Sequence, residues 1–183
     1  MKLNRIFIAL TLVANSAWAT PLDLFGVPLQ GATRSTLEPA LQKAGFSPIH
    51  VGNRWWFDSY YVHGQLPGAS KLIVGYTQHN RFAMAQYIFP SFMDMGQVTK
   101  VIHMVSDKYG APNRESGNPN LGNVTAVWNE GNGMIIRVDR GWPSTTTYLT
   151  IENVVLWQRM RAQMRAQKQQ QEQAQSKAYA NVF

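Results

Sequence analysis

The 183-residue sequence contains no cysteine. This absence excludes disulfide bonds and thiolate metal sites. It also excludes a bacterial lipoprotein, because the lipid of such a precursor is attached to a cysteine at its cleavage site. An exported chain without disulfides has to rely on a hydrophobic core, and the length of this one suits a single domain.

The sequence has no long apolar run at its start. The apolar stretch at residues 6–14 is much shorter than the roughly 20 residues that a membrane-spanning helix needs. Two basic residues precede it, and Ala-Trp-Ala at residues 17–19 has the small–x–small form of a signal-peptide cleavage site. We therefore expect a signal peptide over residues 1–19, cleavage after Ala19 and a periplasmic location.

Acidic residues are few, and basic residues are concentrated at the C-terminal end. The chain has 17 basic and 10 acidic residues, a formal net charge of +7. Residues 20–158 contain 10 of the basic and 9 of the acidic side chains, whereas residues 159–183 contain five and one. Because the basic character belongs mostly to the tail, we expect no nucleic-acid partner for the folded body.

Two segments have helical patterns with similar ends. The first opens with Ser35 and Glu38 at the spacing of a capping box, and the second opens with Asp94 and Gln97 at the same spacing. Both end in Lys-x-Gly with a proline within three residues. The second has an apolar stripe typical of an amphipathic helix, made of Val98, Val101, Ile102, Val105 and Tyr109.

Three strand-like segments follow each predicted helix. They read RWWFDSYYV, KLIVGYT and FAMAQYIF in the first half, and VTAVWN, MIIRVDR and TTTYLTI in the second. This order predicts an α+β domain over residues 20–152, made of two tandem α-β-β-β units at about 20–92 and 93–152. We expect antiparallel strands on one side of this domain and helices on the other.

The order of elements and the shared Lys-x-Gly…Pro helix ends resemble those of small periplasmic modules built from tandem helix-plus-sheet repeats. Examples are inhibitor proteins of the β-lactamase-inhibitor type and the small lipoproteins of outer-membrane assembly. The resemblance covers Leu24 to about Ile151, and the missing lipid cysteine departs from the lipoprotein case. It implies a binding module that uses a concave sheet face or a loop rim.

Residue types of catalytic and metal sites are present, but their spacing does not fit such sites. None of the four histidines has HExxH or paired-ligand spacing. Asp58, Ser59 and His63 are the residue types of a catalytic triad, yet on one strand they cannot converge. Soft ligands such as Met93 and Met95 would suit copper, although methionine more often fills cores. We expect no enzyme activity, no metal and no cofactor.

The C-terminal segment, residues 153–183, predicts a basic, Gln/Ala-rich helix and tail. Val154, Trp157, Met160 and Met164 share one face of this helix, and beyond them the only apolar residues before the last few positions are alanines. We expect the first three turns to pack on the body or a partner. The rest would project into solvent and make weak contact with an anionic membrane surface or an acidic partner.

The stretch WWFDSYYVHG, residues 55–64, has aromatic residues on both faces of a predicted strand. We expect Trp55, Phe57 and Tyr61 to face inward, and Trp56 and Tyr60 to face outward. An uncovered aromatic face would be a binding surface. The candidate partner-binding residues are Trp56, Tyr60, Arg137, Arg140, Trp142, Arg159, Arg161 and Arg165.

Three classes of function remain open from the sequence. The leading one is a non-enzymatic periplasmic protein-interaction module, which would be an accessory of a cell-envelope assembly of the secretion or conjugation type, or an inhibitor. The alternative is a small-ligand or glycan-binding periplasmic carrier in which exposed aromatic side chains stack on the ligand. The third is a hydrolase that carries no recognisable motif.

Overall fold

The computed structural model describes residues 22–52, 56–91 and 93–180. The predicted signal peptide with its cleavage site, and Trp55, lie outside these described residues. The described chain is a mixed α+β structure. Its elements, in chain order, are β1 (Asp23–Leu24), β2 (Val27–Pro28), α1 (Arg34–Lys43), β3 (Ser47–His50), β4 (Phe57–Tyr61), β5 (Lys71–Tyr76), β6 (Phe82–Phe89), α2 (Gln97–Tyr109), β7 (Arg114–Gly117), β8 (Val124–Asn129), β9 (Met134–Arg140), β10 (Thr147–Asn153) and α3 (Val154–Ala180).

Eight strands form one antiparallel sheet in the order β3-β4-β5-β6-β10-β9-β8-β7, and β1 pairs with β2 in a small second sheet. The strands that follow α1 make one half of the large sheet, and those that follow α2 make the other. The halves join where β6 pairs with β10. Each of these helices is therefore followed by four strands, and the sequence-based prediction of three is wrong.

The additional strands, β3 and β7, are the two outer strands of the sheet. Each has four residues. Pro48 in β3 has no N–H for a ladder hydrogen bond, and all four residues of β7 are exposed. An edge strand of this kind is held by one neighbour and carries no apolar alternation, which is why neither one is predicted by its sequence pattern.

The starts of α1 and α2 differ from the predicted capping pairs. The N-cap of α1 is Thr33, whose backbone N–H donates to the Thr36 hydroxyl at 3.0 Å in a capping box. The N-cap of α2 is Gly96, and its N–H donates to Oδ1 of Asp94 at 2.8 Å. Both starts thus lie two residues from the predicted caps, because several hydroxyl and carboxylate residues compete for these positions.

The apolar stripe of α2 is confirmed. Val98, Val101, Ile102 and Val105 are buried, and the helix ends at Tyr109 before Gly110. Gly110 has a φ of 80°, a left-handed value that favours glycine at a helix end. The stripe packs with Leu37 and Leu41 of α1 in the main core, so both helices cover the same face of the sheet.

The third helix, α3, packs on the opposite face of the sheet. Its buried residues are Leu156 and Met160, which form a second apolar cluster with Ala83 of β6. From Arg165 onward every described residue of α3 is exposed. No helix in the described part of the chain combines the length and hydrophobicity needed to cross a membrane.

Candidate functional site

One face of the large sheet is covered by α1 and α2, and among residues 22–52, 56–91 and 93–180 the other face is covered only where α3 crosses it. Pairing of the strands aligns the side chains of this second face in rows across β4, β5, β6, β10, β9 and β8. We term the part beyond α3 the open face. It consists of Ser59, Tyr61, Lys71, Ile73, Gln86, Ile88, Thr125, Val127, Arg137, Asp139, Tyr148 and Thr150.

Most side chains of the open face are half-buried, whereas the strand residues between them point into the main core. Thr150 is buried and Tyr61 is 53% exposed, so the face becomes more accessible toward β4. Aromatic, aliphatic, hydroxyl and charged side chains alternate over it. The open face therefore mixes polar and apolar side chains, whereas the side chains on the opposite face of the sheet belong to the main core.

A groove of about 490 Å³ lies where α3 meets the open face. We term it the α3 groove. Apolar side chains form most of its wall, with Ser59, Lys71 and Gln86 as its polar members. The rings of Phe57 and Trp157 meet edge to face with their centroids 6.3 Å apart. The remaining lining residues are Ile73 and Met84.

Close packing positions the first turns of α3. Met160 is fully buried against the sheet, and Gly75 of β5 makes room for it. A Cβ atom on Gly75 would lie 3.2 Å from Cε of Met160 and 3.1 Å from Cε1 of Phe57. A side chain at this position would push these neighbours away by a few tenths of an ångström, so glycine here allows Met160 and Phe57 their close approach to β5.

Two glutamines attach α3 to the body beyond its first turns. Oε1 of Gln163 accepts a hydrogen bond from the backbone N–H of Gln78 at 3.0 Å. Oε1 of Gln167 accepts one from Nε1 of Trp56 at 2.6 Å. The attached part of α3 therefore extends to residue 167, one turn further than the apolar pattern predicts, and residues 168–180 project beyond it.

The charges at the centre of the open face neutralise one another. Nε of Arg137 lies 2.8 Å from Oδ2 of Asp139, and its Nη2 lies 3.4 Å from Oε2 of Glu152. Glu152 lies beside α3 and is buried, which raises the pKa of its carboxyl, while Arg137 opposes that effect. This cluster rigidifies the middle of the face and contributes no free positive charge.

Two cations beside the α3 groove have no such partner. Lys71 on the open face and Arg161 on α3 form no ion pair with a carboxylate among residues 22–52, 56–91 and 93–180. The guanidinium of Arg161 lies 5.9 Å from the ring centroid of Trp157, and its charge acts on Glu152 from a distance. The groove is therefore apolar inside and positive at its margin.

The predicted outward orientation of Tyr60 is wrong. Tyr60 is fully buried in the main core, and Tyr61 is the exposed residue. The reason is Asp58, two positions before Tyr60, which is also fully buried and pairs with Arg34 of α1. Strand alternation then places Tyr60 on the core face and Phe57 on the α3 side, where it is half-buried.

Arg140 is likewise buried and is not part of an exposed surface. Its guanidinium donates hydrogen bonds to four backbone carbonyls, those of Met95, Asn118, Pro119 and Gly122, at 2.7–3.3 Å. The prediction that it contacts a partner is therefore wrong. Alternation along β9 puts Arg137 on the open face and Arg140 on the opposite one, where it holds the 118–122 loop.

The other candidate residues lie in three places. Trp56 is half-buried and binds α3 through Gln167, and Trp142 is 56% exposed after β9. The three arginines of the helix, Arg159, Arg161 and Arg165, are exposed on α3. Of these, Arg161 lies beside the α3 groove, next to Trp157. Arg137 lies on the open face, two strands away from the groove residue Gln86. Sequence reasoning missed Lys71, Ile73 and Tyr148, because half-exposed residues of central strands show no pattern of their own.

The structure brings together a nucleophile and a base, Ser47 and His63, which the sequence pattern did not pair. Nε2 of His63 lies 2.9 Å from Oγ of Ser47, at an exposed position. No carboxylate of the described residues hydrogen-bonds to the His63 ring, so the pair lacks the third member of a triad. The described residues also contain no group of three or more His, Asp or Glu side chains able to hold a metal ion.

No protein-family model matches the chain, and its sequence matches no curated protein. Among solved structures, it is similar to the crystal structure of a DUF4309 family protein, YjgB, from Bacillus subtilis. That likeness covers 73% of this chain and 86% of that chain, with 18% sequence identity and a TM-score of 0.45.

Proposed function

We propose that this chain is a non-enzymatic protein-interaction module of the bacterial periplasm, which binds a protein partner through the open face. The observation that carries the proposal is the second face of the eight-stranded sheet, which the described part of the chain covers only where α3 crosses it. Its side chains are half-exposed and include Tyr61, Ile73, Ile88 and Tyr148. Contiguous apolar and aromatic surface of this kind marks interaction sites on soluble proteins.

The chemistry of the open face suits a protein partner. Tyrosine, tryptophan and arginine are the side chains most enriched at binding hot spots. All three types occur on the open face or at its α3 margin, as Tyr61, Trp157 and Arg161. Ser59 and Gln86 add hydrogen-bonding groups at the same place. A partner would thus find an apolar recess surrounded by polar side chains, the usual arrangement of a protein–protein interface.

The distal part of α3 is the proposed second contact. Residues 168–180 are exposed all round and project from the body. At about 1.5 Å per residue, these residues reach about 20 Å. Together with the arginines before them they form a basic arm, which suits an acidic partner surface or, weakly, anionic lipid headgroups.

Two further parts of the proposal, an internal duplication and export to the periplasm, are supported by the sequence. The two halves of the sheet are copies of one helix-plus-strand unit, a duplication supported by the matching helix ends and by the placement of the halves on either side of the β6–β10 pair. Export to the periplasm is supported by the N-terminal sequence. An accessory of an envelope assembly of the secretion or conjugation type, or an inhibitor, fits a small binding module in that compartment.

Copurification from envelope fractions tests the proposal. Wild type and Ile73→Asp are compared with Gln42→Asp, a change on the exposed side of α1 behind the sheet. We expect one defined partner with wild type and Gln42→Asp, and at least a ten-fold loss with Ile73→Asp, since a buried charge in an interface costs well over 1.4 kcal/mol. Equal recovery of the partner with Ile73→Asp would contradict binding through the open face.

Deletion of residues 168–183 tests the second contact separately. Because residues 168–180 make no contact with the buried core, the body should keep its stability while the affinity for the partner falls. A shortened chain that binds the partner as tightly as wild type would eliminate the basic arm as a contact and leave the open face unaffected.

A small-ligand or glycan carrier is the second candidate function. It is favoured by the α3 groove, whose volume is in the range of about 300–1,000 Å³ that ligand pockets occupy. Trp157 in its wall and the exposed Trp142 supply rings on which a sugar can stack. Titration with peptidoglycan fragments should then change the tryptophan fluorescence, and an unchanged spectrum would remove this candidate.

A further inference from the structure

We propose that the open face recognises an acidic segment of its protein partner. In this arrangement the segment inserts one large apolar side chain into the α3 groove and places its carboxylates against Lys71 and Arg161. The inference rests on the proposed function, namely binding of a protein by the open face, and it adds the chemistry of the segment that is bound.

The apolar anchor follows from the lining of the α3 groove. Phe57, Ile73, Met84 and Trp157 form a continuous apolar wall. The centroid of the Trp157 ring lies 6.3 Å from that of Phe57 and 5.9 Å from the guanidinium carbon of Arg161. A preformed recess with rigid aromatic walls takes a phenylalanine, leucine or methionine side chain at low entropic cost.

The acidic flank follows from the balance of charge around the groove. On the open face, Arg137 is neutralised by Asp139 and Glu152, as its distances of 2.8 and 3.4 Å show. Lys71, on the other side of the groove, has no carboxylate within ion-pair distance in the part of the chain that the structure describes. A carboxylate from outside would supply the partner that the protein itself does not.

Helix α3, which borders the groove, also has a net positive charge. From residue 159 onward the chain carries five basic residues and one acidic residue, and that acid, Glu172, lies 3.7 Å from Lys168 in an ion pair. Arg161 lies on the Trp157 side of α3, whereas Arg159, two residues earlier, is about 200° away around the helix axis from Trp157. Arg161 therefore presents positive charge to whatever occupies the groove, and the net positive charge of the helix as a whole attracts acidic partners.

The polar side chains favour a peptide over a fatty-acid anion. Ser59 and Gln86 line the α3 groove, and Nε2 of Gln86 already donates to the hydroxyl of Thr150 at 3.0 Å. An acyl chain lying here would bury these groups without offering them hydrogen bonds, which is costly. A peptide segment brings carbonyl and N–H groups that can satisfy them. The occupant is therefore protein rather than lipid.

Selection of peptides on the full chain tests the inference. A random phage-displayed peptide library is panned on wild type, and the binders are synthesised and titrated against variants. Lys71→Glu is compared with Lys43→Glu, which makes the same change of charge on exposed α1 behind the sheet. Arg161→Gln is compared with Arg159→Gln on the far side of α3.

Two further variants, Ile73→Asp and Tyr61→Asp, report whether a peptide binds to the open face at all. Circular dichroism melts confirm that each variant is folded.

We expect binders rich in Asp and Glu around one large apolar residue. Their affinity should fall about ten-fold or more with Lys71→Glu and several-fold with Arg161→Gln, with changes below about two-fold for the matched controls. The affinity should also fall as salt rises, because the groove margin is exposed.

Two other results would overturn the inference, and they differ in what they mean for the proposed function. Peptides that lose binding with Ile73→Asp but carry no acidic residues, or that ignore Lys71→Glu, would remove the acidic flank and leave binding by the open face in place. No binders, or binders indifferent to both Ile73→Asp and Tyr61→Asp, would contradict the inference and the proposed function together.

Discussion

Arg34 and Asp58 form an ion pair inside the protein, with Nε of Arg34 3.0 Å from Oδ2 of Asp58. The pair joins the first residue of α1 to β4. Because Asp58 has to face α1, its neighbours Phe57 and Ser59 have to face the other side of the sheet. One buried carboxylate therefore decides which side chains of β4 are offered at the open face.

Breaking this pair should cost much of the stability of the fold. Arg34→Leu leaves the Asp58 carboxyl buried without its partner, also removes the 2.8 Å hydrogen bond from Nη1 to Asn80, and should lower the free energy of unfolding by about 3–5 kcal/mol. Urea denaturation measures the loss. Arg81→Leu, at an exposed arginine near Asn80, should change stability by less than about 1 kcal/mol. Equal effects would mean that the Arg34–Asp58 pair does not hold α1 in place.

The packing of Met160 against Gly75 should control the docking of α3. Met160→Ala removes a fully buried side chain and should cost about 2–5 kcal/mol. Gly75→Val places atoms within 3.0–3.2 Å of Met84, Phe57 and Met160, and should cost about 1–3 kcal/mol by overpacking. The fluorescence of Trp157 should change in both variants. An exposed control, Met93→Ala, should leave stability and fluorescence unchanged.

Arg140 should matter for stability and not for binding. Arg140→Met leaves four carbonyls without their donor and should lower the free energy of unfolding by about 3 kcal/mol. Hydrogen exchange should accelerate in the 118–122 loop. The folded fraction should still bind partner as wild type does, because Arg140 faces away from the open face. Normal stability with lost binding would reverse this assignment and restore the prediction made from the sequence.

The buried carboxyl of Glu152 should give the protein a distinct dependence on pH. Burial raises the pKa of this carboxyl in the folded state above its ordinary value, so the folded protein binds the proton more tightly than the unfolded chain. The contribution of this group to stability is therefore greatest in acid and is lost as pH rises through the raised pKa. We expect the stability of Glu152→Gln relative to wild type to increase as the pH is raised from 3 to 7. Thermal melts of both proteins at each pH measure this difference.

The control for this titration is Glu115→Gln, at an exposed position of β7. Its difference from wild type should stay small at every pH. A Glu152→Gln variant that instead loses stability toward neutral pH would show that the attraction of Arg137 outweighs the burial of the carboxyl.

Elements with a regular apolar spacing could be predicted from the sequence. An element whose orientation depends on a single long-range contact could not. The apolar stripe of α2 and the apolar face of the first turns of α3 could be predicted because buried apolar residues recur every three or four positions in both helices. The orientation of β4 is not readable, because aromatic residues lie on both of its faces. There the ion pair of Asp58 with a residue 24 positions away decides the outcome.

The contrast between local patterns and long-range contacts also explains which candidate binding residues could be identified from the sequence. Arg137 and Arg161 are predictable as basic residues, and the structure places Arg137 on the open face and Arg161 beside the α3 groove. Tyr60 and Arg140 look equally suitable in the sequence, yet they point the other way. Lys71 and Ile73 became candidates only when the strand register aligned them with Ser59 and Gln86. Strand pairing of this kind joins distant segments and leaves no local pattern.

Site-specific photo-crosslinking in the native envelope tests the central claim most directly. A benzophenone side chain is placed at Tyr61, which is 53% exposed on the open face, and separately at Gln42, exposed on α1 behind the sheet. We predict one discrete crosslinked protein from position 61, its loss when Lys71→Glu is added, and no such product from position 42. The same product from both positions, or none from position 61, would contradict binding through the open face.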